Sequence, residues 1–503
     1  MNAARRDAAR PHAIVIGAGL GGLAAAIRLG ARGYRVTVLE QLDAPGGRAY
    51  VFRQDGFIFD AGPTIITAPF LLEQLWQLCR RRLSDDVQLR PVRPFYRIRF
   101  DDGEVLDCSD DEHSMRQQIE RLAPGDFSGY QRFLKSSEAI YNVAFEQLAH
   151  QPFDSLQDML RLVPDLWRLR SYRSIYGLVA SLVKSPRLRF ALSFHPLFVG
   201  GNPFTTTSIY GLIAFLERRW GVHCAVGGTG TIVAGMVKLI EGQGGEVRCG
   251  ARVKSVATAE RRAVGVVMDG GQVLASDIVV SNADSATTYR DLVPQHLRRH
   301  WSDGKIRRAK YSMSLFVWYF GTSRQFPQVP HHTILAGPRY RELLQDIFER
   351  KILAKDFSLY LHRPTASDAS LAPPGCDAFY VLSPVPHLQG GTDWRVEAER
   401  YRAAIARHLS ATVLPHFERF VVSSRIMTPL DFQDRLLSYR GAAFGMAPSL
   451  AQSAWFRPHN RSEDIENLFL VGAGTHPGAG VPGVLSSARV LDTVVPDAEV
   501  FIR

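Results

Sequence analysis

Apolar positions recur with two different periods along this chain. Residues 12–16, HAIVI, form a short β-branched run, and residues 34–40, YRVTVLE, form another. Between them LAAAIRLGARG (23–33) has helical composition and stops at Gly33. The pattern predicts strand, loop, helix, strand, with Gly17-Ala18-Gly19-Leu20-Gly21-Gly22 as the loop. Near the far end the same phrase returns. NLFLV (467–471) reads as a strand, Gly472-Ala473-Gly474 as a turn, and GVLSSARVLDTVV (483–495) as a helix. A third unit of this kind, residues 225–256, reads turn, helix, strand. Residues 110–215 are largely helical in pattern. Residues 296–440 mix short β-branched and aromatic strands such as SLFVWYFG, FSLYLH and FYVLSPV with amphipathic helices.

The first unit carries chemistry. Gly17 allows a tight turn, Gly19 lets the backbone approach a pyrophosphate, and Gly22 lets the helix pack close to the sheet. The helix N-terminus aims free N–H groups and partial positive charge at phosphate oxygens. Glu40, at the end of the second strand, can accept hydrogen bonds from both ribose hydroxyls and disfavours a 2′-phosphate. This predicts a dinucleotide site, for NAD or FAD. Just beyond lie Gly46-Gly47-Arg48, whose guanidinium can reach a diphosphate, and then Asp60, Gly62, Pro63 and Thr64. In the third unit Gly227, Gly228 and Gly230 do not make a clean dinucleotide fingerprint, and no acid follows the strand. A second nucleotide site is not expected there.

The Gly-Gly-Arg block resembles that of amine-oxidase-type flavoproteins, which favours FAD. The wording NLFLVGAGTHPGAGVPGVLSSA resembles the C-terminal signature of bacterial-type phytoene desaturases. So do EQLDAPGGRAY, FDAGPT, FHPLFVGGNPF (194–204), WGVHCAVGGTG, SNAD (281–284), AGPRYRELL (336–344), SLYLHRPT, YVLSPVPHL and QSAWFRPHNR (452–461). The resemblance covers nearly the whole chain apart from the first dozen residues. It implies an α/β, amine-oxidase-like fold with three parts. Residues 11–75, 216–295 and 441–503 would form a discontinuous Rossmann-type FAD domain. Residues 76–109 and 296–440 would form a mixed-sheet substrate domain, and 110–215 a helical, membrane-associating subdomain.

The second glycine loop would wall the flavin and its ribityl chain, through Gly472, Gly474, Thr475, His476, Gly480 and Val481. Wider relatives often place an acid after these glycines; here Thr475-His476 stands instead, so no ribityl carboxylate is carried over. Val253 would offer its main chain to the adenine. Catalytic candidates are Asp158 and Arg161, three residues apart in SLQDMLRLV. An ordinary helix ion pair explains them equally well. His195 and Asn202 could line a substrate tunnel or satisfy backbone groups in a Gly/Pro bend. There is no Ser-His-Asp arrangement, metal-ligand spacing or P-loop.

The implied activity is successive dehydrogenation of phytoene to neurosporene or lycopene, with a membrane quinone or oxygen reoxidising the flavin. A later-pathway carotenoid desaturase, a carotenoid isomerase and a prenyl-lipid carrier share the fold. A carrier need not preserve Glu40, the Gly-Gly-Arg turn and the second glycine loop.

Charge sharpens the picture. With 60 Lys and Arg against 49 Asp and Glu, the net charge is +11; charge alone favours a merely basic solvated surface, the other reading being an anionic partner, nucleic acid or membrane. No nucleic-acid-binding module is visible. Residues 162–194 set Arg168, Arg170, Arg173, Lys184, Arg187 and Arg189 among Trp167, Tyr172, Tyr176 and aliphatic residues. That pattern alone favours an internal helix pair with a basic outer face; the lipid-soluble substrate that the resemblance implies shifts the expectation to a segment lying in a membrane interface. No apolar run approaches the ~20 residues needed to span a bilayer. The five cysteines lack C-x-x-C spacing, and the polar, basic start MNAARRDAARP has no secretory core. The expectation is a cytoplasmic protein, peripherally bound to the cell membrane.

Overall fold

The computed structural model describes residues 10–501. The first sheet is built from β1 (His12–Ile16), β2 (Arg35–Leu39), β3 (Glu246–Arg248), β4 (Ile278–Ser281) and β5 (Leu468–Leu470), in the spatial order β5-β4-β1-β2-β3. All four pairings are parallel. Parallel strands need both faces covered, which is why β1 and β2 read as continuous apolar runs. Ala13 and Val15 pack with α1 (Leu20–Ala31), α2 (Thr229–Gly242) and α3 (Val481–Val494). Ile14 and Ile16 pack on the opposite face, against an antiparallel sheet of Val253–Ala259, Arg262–Met268 and Val273–Ala275. The chain thus returns after more than 400 residues to place β5 in its first sheet, and α3 crosses α1 with an ion pair at 2.6 Å between buried Arg28 and exposed Asp492.

A second, seven-stranded sheet joins Tyr96–Arg99 and Val105–Cys108 to five strands between residues 314 and 427. Its pairings are antiparallel except that of His332–Leu335 with Tyr96–Arg99. Ser314–Thr322, buried along its whole length, is its second strand.

Residues 112–193 form five helices. Here the interfacial segment expected over 162–194 divides in two. Ile175, Leu178, Val179, Leu188 and Phe190 are buried in a core with Phe127, Tyr130 and Phe133, so residues 175–194 are an internal helix pair. The amphipathic element is Leu156–Arg168, which buries no residue. Leu156, Leu160, Val163 and Trp167 are exposed and spaced as one helical face, and Trp167 stacks on exposed Tyr172 at 5.1 Å. No helix among the described residues is long and apolar enough to cross a membrane.

Candidate functional site

The two glycine loops meet. A Cβ on Gly21, in the first loop, would stand 3.1 Å from Gly472 Cα in the second, and 2.6 Å from Oδ1 of Asn282 at the end of β4. Gly47 closes on the first loop from another side, where its Cβ would sit 3.2 Å from Gly19 Cα. Gly46, Gly47 and Gly472 all have positive φ, so side chains are excluded there by conformation as well as by space. The result is a cradle of bare backbone at the carboxyl ends of β1, β4 and β5, where open parallel sheets take their ligands.

Glu40 is fixed at the edge of this cradle. Its Oε2 accepts from Ala18 N–H at 2.8 Å and its Oε1 from Leu42 N–H at 2.9 Å. A carboxylate has about four acceptor sites, so each oxygen retains capacity for a further donor. Arg48 donates from Nε to Ala443 O at 2.6 Å and from Nη2 to Ser438 Oγ at 2.9 Å. Its burial lowers its pKa, an effect opposed by Asp284. Burial conversely pushes Asp284 up, against the pull of the Arg48 guanidinium and of the N–H groups of Thr287 and Ala286. Asp60 ties the first unit to the third. Its Oδ1 accepts from the backbone and hydroxyl of Thr229 at the start of α2, and burial raises its pKa to about 6.

From the cradle one cavity of about 600 Å³ runs into the helical region. That is the scale of a site for a large organic ligand. Gly17, Gly19, Glu40, Gly47, Arg48, Gly62, Pro63, Thr64 and Val253 line it, as do Gly472, His476, Gly480 and Val481. Phe194, Phe198, Ile213, Leu216, Ile334 and Leu359 also line it, as do Met159, Leu162, Leu166 and Leu169 of the helical region. Helix Leu156–Arg168 therefore shows one apolar face to the cavity and the other to solvent.

The remaining candidates stand elsewhere. Gly22 packs within α1's own turn, where a Cβ would meet Gly17 O at 2.1 Å. Gly474 and Thr475 lie behind the wall: a Cβ on Gly474 would meet Ser285 Oγ at 2.6 Å, and Thr475 Oγ1 donates to Pro458 O at 2.6 Å. Asp158 is the helix-capping acid of Ser155 and pairs with the exposed Arg161 at 3.5 Å. Neither is on the cavity wall, because Met159 and Leu162 take the inward positions of that helix. The ordinary ion pair is what the structure holds. Asn202 turns its Oδ1 to Phe204 N–H at 3.0 Å inside its bend, and His195 lies behind Phe194 and Phe198 against Tyr96 and Glu217. Both are thus absent from the wall.

His476 is buried on the cavity wall. Its Nε2–H donates to Leu148 O at 3.0 Å, and burial lowers its pKa to about 4, so the ring is neutral. Sequence spacing gave no hint of three other histidines, His331, His332 and His362, whose ring nitrogens come within 4.8 Å of one another. They are hydrogen-bonded partly among themselves, at 3.1 Å for the His331–His362 pair, and through His332 Nδ1 to Tyr360 OH at 2.7 Å.

The donor set fits a flavin dinucleotide. Bare backbone at three strand ends suits a pyrophosphate and a flat ring, Glu40 suits ribose hydroxyls, and the half-buried Arg48 guanidinium lies on the same wall. Sequence reading noted SNAD (281–284) but gave no role to its Asn282 and Asp284, which also stand on that wall, between a strand and a short helix.

Comparison with known proteins agrees. The family model described as "Flavin containing amine oxidoreductase" matches residues 20–490. The chain is 49% identical to the neurosporene-forming phytoene desaturase of Cereibacter sphaeroides, over 97% of this chain and 95% of that one. It is 49% identical to the lycopene-forming phytoene desaturase of Pantoea ananas, over 94% and 97%. Among solved structures, putrescine oxidase bound to putrescine superimposes with a TM-score of 0.63 at 14% identity, over 97% of this chain and 99% of that one. Cyclohexylamine oxidase from Brevibacterium oxydans superimposes with a TM-score of 0.62 at 15% identity, over 98% and 100%. At these identities the two structures speak for the fold.

Proposed function

The chain belongs to the family of flavin-containing amine oxidoreductases, and from that premise we propose that it is an FAD-dependent phytoene desaturase, forming neurosporene or lycopene by successive dehydrogenation. One observation carries the reading: a single cavity joins a dinucleotide cradle to an apolar chamber. A substrate without heteroatoms can be held only by shape and apolar contact, and the walls past Thr64 offer little else.

In this reading Gly17, Gly19, Gly47 and Arg48 hold the diphosphate, Glu40 the adenosine ribose, and Val253 the adenine. Gly472, Gly480 and Val481 face the flavin ring. The bound flavin supplies a two-electron, hydride-accepting centre. The protein's own work is positional. The cavity walls hold an extended hydrocarbon against that centre and keep water out. The neutral, hydrogen-bonded His476 ring fixes the flavin-side loop to Leu148 in the helical region.

The substrate dissolves in lipid, which assigns a use to helix Leu156–Arg168. Its exposed stripe would lie in the interface of an anionic bilayer on the cytoplasmic side, with exposed Arg161, Arg168 and Arg170 toward the head groups. Its inner face would then form the cavity's mouth. A membrane quinone or oxygen would take the electrons. The test is turnover of phytoene in liposomes by flavin-loaded protein, with product chromatography. Isomerised phytoene without new double bonds would favour an isomerase, and bound but unchanged substrate a carrier.

A further inference from the structure

Three buried imidazoles converge in the second sheet. His332 and His362 stand directly opposite one another on paired antiparallel strands, and His331 sits at the bend that leads into the first of them. None is more than 5% exposed, and one ring nitrogen from each lies within 4.8 Å of the other two. Their six nitrogens are unevenly partnered. His331 Nδ1 meets Ser367 Oγ at 2.7 Å, and His332 Nδ1 meets Tyr360 OH at 2.7 Å. His331 Nε2 and His362 Nε2 stand 3.1 Å apart, whereas His332 Nε2 and His362 Nδ1 are buried without a partner. Burial keeps all three rings neutral. It lowers the His331 pKa to about 3, with the Arg363 guanidinium adding to the effect, and carries His332 and His362 well below the ordinary value. A neutral imidazole has one N–H and one lone pair. With the Nδ1 protons of His331 and His332 donated to Ser367 and Tyr360, their lone pairs are left at Nε2. Metal-ligating histidines are held in this way, the outer nitrogen bonded to a second group that fixes tautomer and ring orientation.

We propose that His331, His332 and His362 bind one divalent cation of the Zn²⁺ class through their Nε2 atoms, with water as the fourth ligand. Tetrahedral Zn²⁺ with Zn–N of about 2.0–2.1 Å sets its nitrogens about 3.3 Å apart. The His331–His362 pair already stands at 3.1 Å, and the third ring has at most about 1.5 Å to close from 4.8 Å. The ion gives His332 Nε2 the partner it lacks. A set of imidazoles without a carboxylate selects Zn²⁺, Co²⁺, Ni²⁺ or Cu²⁺ over Mg²⁺ and Ca²⁺. The charge beside the cluster is already compensated, since Arg363 pairs with fully buried Asp377 at 3.0 Å. The site is also shallow: Ser367 is half-buried and Ala366 beside it is exposed, which gives an ion a way in. The metal's role is structural. It ties strand His332–Leu335 to strand Leu359–His362, whose Ile334, Leu359 and Tyr360 line the cavity. Tyr360 OH, held by His332, reaches Thr64 Oγ1 on the same wall at 3.2 Å. The bound ion therefore stiffens the wall of the chamber from behind.

The test is metal uptake by the full, flavin-loaded chain carrying no affinity tag. Chelator-treated protein is titrated with Zn²⁺, desalted and analysed for bound metal. Co²⁺ in a parallel titration reports geometry, through the strong visible absorption of a tetrahedral site. Wild type should retain one ion per chain, give the tetrahedral cobalt spectrum and melt at a higher temperature with Zn²⁺ than without. His362→Gln should weaken Zn²⁺ binding by at least about a hundredfold and lose the cobalt band. Ser367→Ala, which removes only the group orienting His331, should weaken binding by about 10- to 100-fold. His113→Gln, at an exposed histidine, should change neither. A wild type that takes up no stoichiometric Zn²⁺ or Co²⁺ overturns the proposal, whether or not the variants fold, and leaves the cluster as hydrogen-bonded core histidines. Undiminished uptake by a folded His362→Gln places the ion elsewhere and overturns it equally. None of these readouts depends on turnover of phytoene, so the result stands apart from the desaturase reading.

Discussion

Replacing Leu160 and Trp167 together by serine should detach the protein from vesicles while leaving its fold intact. The two side chains are 62% and 73% exposed and lie on the same outer face of helix Leu156–Arg168. Full burial of a large apolar side chain contributes about 1.5–3 kcal/mol, so immersing these exposed fractions in lipid contributes about 1–2 kcal/mol each. The double variant therefore loses about 2–4 kcal/mol of partitioning, a drop of about 30- to 700-fold in vesicle affinity. Folding should be nearly indifferent, because neither side chain is buried, and exposed substitutions change stability by about 0.5 kcal/mol or less. The assay is sedimentation with liposomes of part-anionic composition, repeated at high salt to screen the arginines and isolate the apolar term. Circular dichroism and flavin content control for structure. Affinity within twofold of wild type at both salt concentrations would refute the reasoning, and the stripe would then serve something other than lipid.

Three other outcomes follow from the site. Glu40→Ala leaves the N–H groups of Ala18 and Leu42 without their acceptor and removes the ribose carboxylate; flavin-fluorescence titration should show FAD affinity weakened at least about tenfold, and an unchanged Kd would dismiss Glu40 from the site. Gly474→Val should lower the melting temperature by driving a side chain into Ser285, whereas Gly480→Val, at a cavity-lining position with φ of 96°, should empty the flavin site first; flavin occupancy against temperature separates the two. Acidification should destabilise the protein through His476, whose folded pKa of about 4 lies below its ordinary 6.5. The unfolded state then binds the extra proton, so stability falls as pH drops from about 6.5 to 4, by about 3 kcal/mol from this group at the lower limit. His476→Gln should flatten that part of the denaturation profile, and an unaltered slope would contradict the assignment.

The strand-loop-helix units at both ends were legible because their signals are local. β-Branched runs bounded by glycine define strands wherever they occur, and an acid at the end of β2 has few other uses. What periodicity could not convey was which face of a helix meets which neighbour. Asp158 and Arg161 share a face, as their spacing required, but Met159 and Leu162 occupy the inward positions. The basic residues of 162–194 looked uniform in sequence. Tertiary packing divides them: Phe190 and Leu178 are core, whereas Trp167 and Tyr172 are bare. Gly474 illustrates the same limit, since a glycine demanded by a packed Ser285 reads like one demanded by a ligand.

The account rests on electron transfer from phytoene to a flavin held between the two glycine loops, and anaerobic stopped-flow mixing tests it most directly. FAD-loaded protein is mixed with phytoene in liposomes in the absence of any acceptor, and the flavin and polyene bands are followed together. The account predicts bleaching of oxidised flavin at the rate at which the first extended-polyene absorbance rises, with one flavin reduced per double bond formed. Polyene formation with the flavin still oxidised, or a flavin that stays oxidised while phytoene is bound and unchanged, would contradict it.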